Sequence, residues 1–469
     1  MSKKKPKIFD PVRVVDIAAK GQAVGKTDDG QVIFLEGAVP GDVVQVQSSR
    51  KRKGAWQGRI LKYHSYAPER RDPACEHFGV CGGCKWQHLD YSAQLQYKAK
   101  EVEHNLRHIG KLENISFEDI LQAPSEYFYR NKMEFSFSNQ RWLTAAEIQQ
   151  AEDGVLEKNG LGFHKPRMWD KVVDIQTCHL QADPSNEIRN YIRAYALEHQ
   201  LSFFDPRAQK GFLRTLMIRN TLEGAFMVLI QFYDDHKQQR DLLLKSLEER
   251  FPQIQSLLYC INQKANDTLY DQEIICFSGK PYITEHMEGL AFKINAKSFF
   301  QTNSAQALAL YQRVRDFAGL QATDRVYDLY TGTGTIALFM ARHCQKVVGI
   351  ESVPEAIEAA QENAVENGIE NCFFEVGDMK DCFNDAFIDR HGAADVIITD
   401  PPRSGMHPDV VQQLIQSSAS KIVYVSCNSA TQARDLALMK DSFEVVKSQA
   451  VDMFPQTHHV ENIVLLIRK

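Results

Sequence analysis

Hydrophobic and polar residues alternate in short runs over the first 66 positions of the chain. Such runs cover residues 12–17, 31–35, 42–47 and 56–61, and glycine-containing turns separate them. A period of two is typical of strands that bury one face, and turns of this kind connect strands. The pattern therefore predicts a small OB-like β-barrel of four or five strands over residues 1–66.

The pattern becomes mixed over residues 67–290, which we expect to form a central α+β domain. Residues 91–109 are amphipathic and predict a helix, whereas alternation at 132–137 and 225–232 predicts antiparallel strands. Residues 149–160 are polar and predict a loop insertion. The region opens with a cluster of cysteines.

A regular alternation of strands and helices begins near residue 320, within the third expected domain, 291–469. Apolar runs predict strands at 325–330, 346–351, 372–376, 395–400, 422–427, 443–450 and 462–467. The segments between them predict helices at 336–343, 354–367, 408–417 and 430–440. This order predicts a Rossmann-like α/β domain with a parallel, doubly wound sheet, which binds ligands at the carboxyl ends of its strands.

Length and composition agree with a soluble protein of several domains. A chain of 469 residues is too long for one ordinary core, and 43% hydrophobic with 25% charged residues is typical of globular proteins. The basic N-terminus, 1–7, lacks the apolar stretch of a secretory signal, and no apolar run could span a membrane. We expect a cytoplasmic monomer, in which the ten cysteines are thiols, metal ligands or nucleophiles rather than disulfides.

Charge is distributed unevenly along the chain. Residues 1–71 hold 15 Lys and Arg against 7 Asp and Glu, whereas the remainder is acidic. The basic run 50–53 lies between two predicted strands, as a loop that could bind phosphates. A solvated hairpin tip is the alternative, but the charge of the whole module favours RNA or DNA as its partner.

A glycine turn follows the first strand of the third domain, in the run Asp328-Leu-Tyr-Thr-Gly332-Thr-Gly334-Thr335. It lacks the third glycine of a dinucleotide site and the lysine of a phosphate-binding loop. These absences favour a nucleoside ligand without a pyrophosphate, such as S-adenosylmethionine. Glu351 ends the second strand, where it can bind ribose hydroxyls, and Asp378 follows the third, near the adenine. Asp400, held by two prolines after the fourth strand, is expected to face cofactor and substrate.

Cys427 and Glu461 are the candidates for covalent chemistry. Cys427 ends the fifth predicted strand and precedes a helix, whose dipole and free amides favour a thiolate. Free cysteines are more often small core residues, as expected for Cys260, but a strand end above a cofactor site favours a nucleophile. Glu461 is a candidate general base. With the glycine turn, the pair indicates covalent catalysis with an activated-group donor.

Four segments around these residues resemble successive motifs of the RNA (uracil-5-)-methyltransferase family. They are 300–303, 400–403, 426–431 with 433–436, and 454–461, of which the last two are highly specific. The resemblance covers essentially the whole chain, and the N-terminal barrel resembles the TRAM domain. It implies that Cys427 is the nucleophile and Glu461 the base. It also implies the residues that line the S-adenosylmethionine and uracil site: Gln301, Tyr330, Thr335, Glu351, Asp378 and Asp400.

The reaction of this family requires both a thiol and a base. Carbon 5 of uracil is too electron-poor to attack a methyl sulfonium, but a thiolate that adds to carbon 6 makes carbon 5 nucleophilic. A base then removes the carbon 5 proton so that the thiolate can leave. The chain departs from its relatives at Thr331, Thr335 and Ser429, where Cys, Asn and Pro are common. The departure at Thr335 weakens its expected cofactor contact and leaves Cys427 unaffected.

Three cysteines at the start of the central region, Cys75, Cys81 and Cys84, suggest a metal site that lacks one ligand. Their spacing alone leaves zinc and an iron–sulfur cluster equally open. The resemblance implies that Cys178 supplies the fourth ligand and that the group is a 4Fe–4S cluster. Since methyl transfer needs no electrons, a structural or RNA-positioning role is expected.

Other functions fit the sequence less well. A methylthiotransferase would need C-x3-C-x2-C, whereas the first gap here is five, and an amino-group methyltransferase would use Asn-Pro-Pro-aromatic. A non-catalytic RNA-binding protein would not need both Cys427 and Glu461. Among RNA substrates, the barrel and the cysteine cluster favour 23S ribosomal RNA, and uridine 54 of transfer RNA is the alternative.

Overall fold

A closed barrel, two large sheets, a hairpin and eleven α-helices make up the computed structural model of the protein, which describes residues 6–52, 54–150 and 156–469. The strands are β1 (Ile8–Ala18), β2 (Gln22–Thr27), β3 (Val32–Leu35), β4 (Val43–Arg52), β5 (Ala55–Ser65), β6 (Ser116–Leu121), β7 (Lys132–Ser138), β8 (Gly160–His164), β9 (Val172–Asp174), β10 (Leu213–Asn220), β11 (Phe226–Phe232), β12 (Ile254–Ile261), β13 (Ile275–Gly279), β14 (Tyr282–Met287), β15 (Leu290–Asn295), β16 (Arg325–Leu329), β17 (Lys346–Glu351), β18 (Cys372–Val376), β19 (Val396–Thr399), β20 (Lys421–Ser426), β21 (Phe443–Val451) and β22 (Glu461–Arg468). The helices are α1 (Tyr91–His108), α2 (Ala145–Gln150), α3 (Ser185–Glu198), α4 (Lys237–Arg250), α5 (Ser304–Ala318), α6 (Thr335–Ala341), α7 (Pro354–Glu366), α8 (Met379–Cys382), α9 (Asp385–His391), α10 (Pro408–Gln416) and α11 (Ser429–Met439). In the described ranges, every helix is too short or too polar to cross a membrane.

The N-terminal strands close into a five-stranded barrel, as predicted, and their order is β1-β2-β3-β5-β4. The apolar side of the alternating pattern fills its interior, with Val12, Val14, Ile33, Leu35, Val44 and Val46. The expected basic loop is wrong in part, because β4 and β5 stay paired through Arg50 and Lys51 as far as Arg52, and Lys53 lies outside the described residues. Backbone pairing continues through polar residues, so hydrophobic periodicity does not reveal where it stops.

An ion pair and a small apolar cluster are among the contacts between the barrel and the remainder of the chain. Asp42 is fully buried and accepts a hydrogen bond from Arg70 at 2.6 Å. The cluster consists of Val39, Ala67, Trp86, Leu89 and Ala93. Gly21 has φ +71°, and a Cβ there would lie 2.8 Å from Cβ of His458. The barrel backbone therefore lies directly against the segment that precedes Glu461.

The central region contains a seven-stranded sheet in the order β13-β12-β11-β10-β7-β8-β9. The predicted strands at 132–137 and 225–232 are its β7 and β11, each antiparallel to β10. Its core combines these strands with apolar residues of α3 and α4, such as Ile188 and Leu244. The polar segment 149–160 includes the end of α2 and the start of β8, and its residues 151–155 lie outside the described ranges.

The C-terminal sheet has the order β18-β17-β16-β19-β20-β22-β21-β6. The first five strands are parallel, as the strand–helix alternation predicts. β22 runs antiparallel between β20 and β21, and this reversal brings its first residue to the carboxyl end of β20. Four helices occupy the predicted segments, and each of their ends lies within two residues of the predicted one: α6, α7, α10 and α11.

One strand of this sheet comes from far ahead in the chain. β6 pairs in parallel with β21, with Ser116 opposite Lys447. Helix α1, which precedes it, packs on the same side as α11, and Asn105 Nδ2 donates a hydrogen bond to Ser429 Oγ at 2.8 Å. The C-terminal core therefore contains residues that lie well before the boundary expected near residue 290.

Candidate active site

The glycine turn follows β16 in a conformation that leaves one side open. Tyr330, Gly332 and Gly334 have φ of +65°, +56° and +76°. A Cβ on Gly334 would lie 2.9 Å from Cβ of Ala360, so this glycine permits close packing. A Cβ on Gly332 would meet nothing within 4 Å among the described residues. The turn therefore presents Gly332 to a space that a ligand can occupy.

Glu351 and Asp378 flank this turn, as the sequence predicts for strand-end acids. Glu351 Oε2 accepts a hydrogen bond from Gly332 N at 3.2 Å, and its Oε1 accepts one from Ser352 N at 2.7 Å. Asp378 is exposed and caps α8 by accepting from Lys380 N at 3.2 Å. Burial, then Asp378 and other nearby acids including Glu351, raise the pKa of Tyr330 to about 12. These three predicted residues are thus brought together.

Asp328, near the carboxyl end of β16, is a buried carboxyl that is not among the predicted site residues. It is 1% exposed, and its Oδ2 accepts hydrogen bonds from Thr331 Oγ1 at 2.6 Å and Ala337 N at 3.0 Å. Its Oδ1 has no partner among the described residues. Burial raises its pKa to about 7, and Glu351 contributes. Its position at a strand end is the signal that could have identified it.

Cys427 and Glu461 meet at one edge of the sheet. β20 and β22 pair with Ser426 opposite Asn462, so the next position along each strand places Cys427 opposite Glu461. Asp400 follows β19, the neighbouring strand. The predicted nucleophile, the predicted base and a second acid are therefore adjacent.

The carboxyls of Glu461 and Asp400 both hold protons near neutral pH. Glu461 is 6% exposed, and burial with the neighbouring Asp400 raises its pKa to about 8, which Arg403 opposes. Burial with the neighbouring Asp328 raises the pKa of Asp400 to about 7. Two carboxyls close together in a dry site cannot both ionise at ordinary pH. The site is therefore able to take up and release protons near pH 7.

The thiol of Cys427 does not have the low pKa expected from its place before α11. Asn428 caps this helix by accepting from Ala430 N at 3.2 Å. Burial, then Glu461 and Asp400, nevertheless raise the pKa of Cys427 to about 11. Burial and the two neighbouring carboxyls both disfavour the thiolate, so together they raise the pKa of the thiol more than the helix N-terminus lowers it.

Arg403 is a cation close to this group of acids, and it belongs to the Asp-Pro-Pro-Arg motif. Its guanidinium opposes the rise in the pKa of Cys427 and of Glu461. Its carbonyl accepts hydrogen bonds from Asn428 Nδ2 at 2.9 Å and Thr431 Oγ1 at 3.2 Å, which tie the motif to α11. The motif marks the residue in the sequence, but only the fold reveals which thiol it approaches.

Gln301 and Thr335 have different surroundings. Gln301 is partly exposed between β15 and α5, and its carbonyl accepts from Asn131 Nδ2 at 2.9 Å. Thr335 is 7% exposed at the start of α6, with its Oγ1 3.4 Å from Thr333 Oγ1. The hydroxyl of Thr335 is thus buried next to that of Thr333.

The segment 452–460 leads into Glu461 and is held on several sides. Lys98 Nζ donates to Asp452 Oδ1 at 2.5 Å, and Asn303 Nδ2 donates to the carbonyl of Met453 at 3.0 Å. Gln456 N donates to Gln94 Oε1 at 2.9 Å. These contacts come from α1 and the residue before α5, so two distant parts of the chain hold the segment that leads to Glu461.

The four predicted metal ligands line one cavity of about 540 Å³. Burial, then neighbouring cysteines, raise the pKa of Cys81 to about 11. Burial raises that of Cys84 to about 12, and Cys178, Cys81 and Cys75 contribute. The thiols are therefore close enough to disfavour one another's ionisation. In the described ranges, however, no three His, Cys, Asp or Glu side chains converge as a ligand group. Cys260, by contrast, is buried in the central sheet, as expected of a core residue.

Comparison with known proteins agrees with this arrangement. Residues 275–469 match the tRNA (Uracil-5-)-methyltransferase family, and residues 11–60 match the TRAM domain. Proteins of Porphyromonas gingivalis and Bacteroides thetaiotaomicron, both named as RNA methyltransferases, are each 52% identical to the chain. The matches cover 97% and 96% of this chain and 99% of each relative.

A solved structure resembles the whole fold. The tRNA (uracil-54, C5)-methyltransferase of Pyrococcus abyssi, in complex with S-adenosyl-L-homocysteine, is 26% identical. The two chains superpose with a TM-score of 0.75, over 97% of this chain and 100% of the other. The barrel, the strand-end acids and these relatives lead to one assignment. The chain belongs to the S-adenosylmethionine-dependent RNA uracil-5-methyltransferase family.

Proposed function

We propose that the protein transfers the methyl group of S-adenosylmethionine to carbon 5 of a specific uridine in RNA, through a covalent bond between Cys427 and carbon 6. The observation that carries the proposal is the register of β20 and β22, which sets Cys427 opposite Glu461. A nucleophile and a base one strand apart can act on adjacent carbons of one ring.

The residues around the glycine turn fit a cofactor with a net positive charge. Asp328 has one buried oxygen without a partner in the described ranges, and Asp400 shares its acidic surroundings. Gly332 leaves room beside the turn, and Glu351 retains lone pairs that can accept from ribose hydroxyls. Asp378 lies where the adenine is expected. When bound, S-adenosylmethionine supplies the electrophilic methyl group.

The protein's own groups then divide the work. Cys427 loses its proton to a neighbouring carboxylate, and its sulfur adds to carbon 6, which leaves carbon 5 electron-rich. Arg403 stabilises the negative charge that this step creates. After methylation, carbon 5 carries both a methyl group and a proton. Glu461 removes that proton, the bond between carbon 6 and sulfur breaks, and Cys427 leaves as a thiolate.

The cysteine cavity supports a bound metal group, for which Cys75, Cys81, Cys84 and Cys178 are the ligands. A 4Fe–4S cluster is proposed, with zinc as the alternative. Arg189 is fully buried beside Cys178, and its Nη1 has no partner in the part of the chain that the structure describes. A buried cation offsets the charge of several thiolates, so these residues fit an anionic cluster. Its role is structural, or positions RNA.

The proposed substrate is 23S ribosomal RNA, in a cytoplasmic reaction by a monomer. Uridine 54 of transfer RNA is the second candidate, and the likeness to the Pyrococcus abyssi enzyme favours it. Mapping of 5-methyluridine in both RNAs from a strain that lacks the gene distinguishes them. One site should lose its methyl group, regain it with the intact gene and stay unmodified with Cys427→Ala. If both RNAs keep all of their 5-methyluridine in the strain that lacks the gene, the proposal is overturned.

A further inference from the structure

The cavity that the four cysteines line is also lined by four cations that a metal group does not explain. They are Arg130, Lys132, Arg219 and Lys297. Arg219 is 4% exposed, and its Nη2 donates to the carbonyl of Ser298 at 2.5 Å. Its Nε has no hydrogen-bond partner among the described residues. A buried guanidinium with an unused donor is costly unless an anion approaches it.

Two of these cations, Lys132 and Arg219, lie opposite each other on neighbouring strands. β10 and β7 pair in antiparallel register with Arg219 opposite Lys132. Like charges in such a pair destabilise a sheet. The available carboxylate is Glu134, and Lys132 already holds it at 2.5 Å. The positive charge of this pair is therefore incompletely neutralised by the protein, which is typical of an anion-binding site.

An aromatic ring borders the same cavity. Tyr270 is 76% exposed, and Lys297 Nζ donates to its carbonyl at 3.1 Å. A large exposed ring next to buried cations suits a ligand that has both a flat base and a phosphate. Inorganic phosphate alone would not require the ring, and an apolar ligand would not require the cations.

The cavity adjoins the proposed uracil site. Phe300 and Thr302 line it, and Gln301 stands between them in the chain. Asn131, next to Lys132, donates its side-chain amide to the carbonyl of Gln301 and its backbone N–H to that of Thr302, at 2.9 and 2.8 Å. The segment 300–302 therefore lines the cavity and also carries Gln301 of the predicted cofactor and uracil site, which suits two neighbouring nucleotides of one RNA strand.

We infer that this cavity binds a nucleotide adjacent to the target uridine, with its phosphate between Arg219 and Lys132 and its base against Tyr270. The inference rests on the proposed function, because it names a second contact of the same RNA. It also explains how the enzyme could hold an unstacked strand while the target uridine is turned out of its stack.

Binding of a fluorescein-labelled single-stranded oligouridylate 12-mer, measured by anisotropy over a series of KCl concentrations, tests the inference. Lys132→Met and Arg219→Met should each weaken binding about tenfold. Each should also reduce the slope of log affinity against log salt by about 0.7, because one phosphate contact is lost. Arg219→Lys should retain most of the slope. Tyr270→Ala should weaken binding about tenfold and leave the slope unchanged, because stacking releases no counterions.

Lys245→Met is the matched control, since Lys245 is exposed on α4 and does not line the cavity. It should change neither affinity nor slope. Affinity for S-adenosylmethionine and metal content should stay at the level of the unaltered protein in every variant. Lys132 is less buried than Arg219, so Lys132→Met keeps the test valid even if Arg219→Met fails to fold.

Two results would overturn the inference. Unchanged affinity and slope in Lys132→Met would mean that no phosphate binds there. Loss of metal with unchanged RNA binding in the cation variants would assign the cations to the metal group. Because the assay needs no methyl transfer, a failure to find a methylated uridine would not alter its outcome. Conversely, a negative result in the binding assay would not change which uridine the mapping of 5-methyluridine identifies.

Discussion

Lys98 and Asp452 form an ion pair in which both side chains are fully buried, with Nζ and Oδ1 2.5 Å apart. Lys98 belongs to α1, and Asp452 begins the segment that leads to Glu461. Tyr91 Oη donates to the other carboxylate oxygen at 2.8 Å. The pair thus connects a helix from the N-terminal half of the chain to the approach to the proposed base.

Replacement of Lys98 by Met should destabilise the protein by about 3–5 kcal/mol, because it leaves the buried side chain of Asp452 without its cation. Thermal unfolding should show a lower Tm. The double variant Lys98→Met/Asp452→Asn should recover much of the loss, since neither remaining group carries a charge. An equal Tm for the single and double variants would mean that the buried charge is not the cause.

Substitution of the two proposed catalytic residues should give different products. Cys427→Ala should abolish both methylation and any covalent protein–RNA species, because no bond to carbon 6 can form. Glu461→Gln still permits addition and methylation, but the carbon 5 proton is not removed efficiently. With RNA and S-adenosylmethionine, this variant should accumulate an adduct that survives denaturation and migrates more slowly in a gel. Normal turnover by Glu461→Gln would exclude it as the base.

The value of kcat/KM should increase with pH below about 8. Cys427 and Glu461 both hold protons in the free enzyme, with pKa values of about 11 and 8, and one proton must leave the pair before either can act. Deprotonation therefore raises activity about tenfold per pH unit and levels off above the lower pKa. Asp400→Asn should shift the profile to lower pH. A flat profile from pH 6 to 8 would show that Glu461 ionises normally.

Anaerobically purified protein should be brown and contain about four irons per chain. Cys178→Ala should lose the metal, because one of four ligands is removed, whereas Cys260→Ala should retain it. Elemental analysis and visible absorption measure both. Colourless protein with one zinc would support the alternative metal, and full metal content in Cys178→Ala would exclude Cys178 as a ligand.

Neutralising two cations of the barrel should weaken RNA binding without affecting the cofactor. Arg50 and Lys51 are exposed on the hairpin of β4 and β5. Arg50→Gln/Lys51→Gln should reduce the salt dependence of RNA binding and leave affinity for S-adenosylmethionine unchanged. Point substitutions are preferable to deletion of the barrel, because deletion would expose Trp86 and Leu89. Unchanged RNA affinity would mean that this hairpin is a solvent-exposed tip that does not bind RNA.

Local pattern was sufficient for most of the secondary structure and for the strand-end acids. Strands and helices of the C-terminal domain repeat a simple rule, so Glu351, Asp378 and Asp400 could be assigned to one sheet edge before any coordinates. The approach of Cys427 to Glu461 could not be derived in this way. It depends on β22 entering antiparallel beside β20, and hydrophobic periodicity does not carry strand direction.

The direction of the pKa shift of Cys427 also could not be predicted from the sequence. The helix N-terminus predicted a reactive thiolate at Cys427, but burial and the carboxyls of Glu461 and Asp400 reverse the direction of the shift. Glu461 begins β22, Asp400 follows β19 and Cys427 follows β20, so three separate strands bring these groups together. Arg403 and Asp328 became evident for the same reason, because their roles arise from what surrounds them in space.

The pairing of β6 with β21 bears on how the protein is made. About 330 residues separate the two strands. After β6 has been made, translation therefore has to continue for roughly 20 to 60 s before β21 is available to pair with it. Throughout that interval β6 has an unsatisfied backbone edge. A fragment that begins at the methyltransferase domain would carry the complementary fault, with β21 as an open edge able to pair with other chains. Expression of that fragment alone should yield aggregates, and supplying residues 91–121 as a separate peptide is a rational means of rescue.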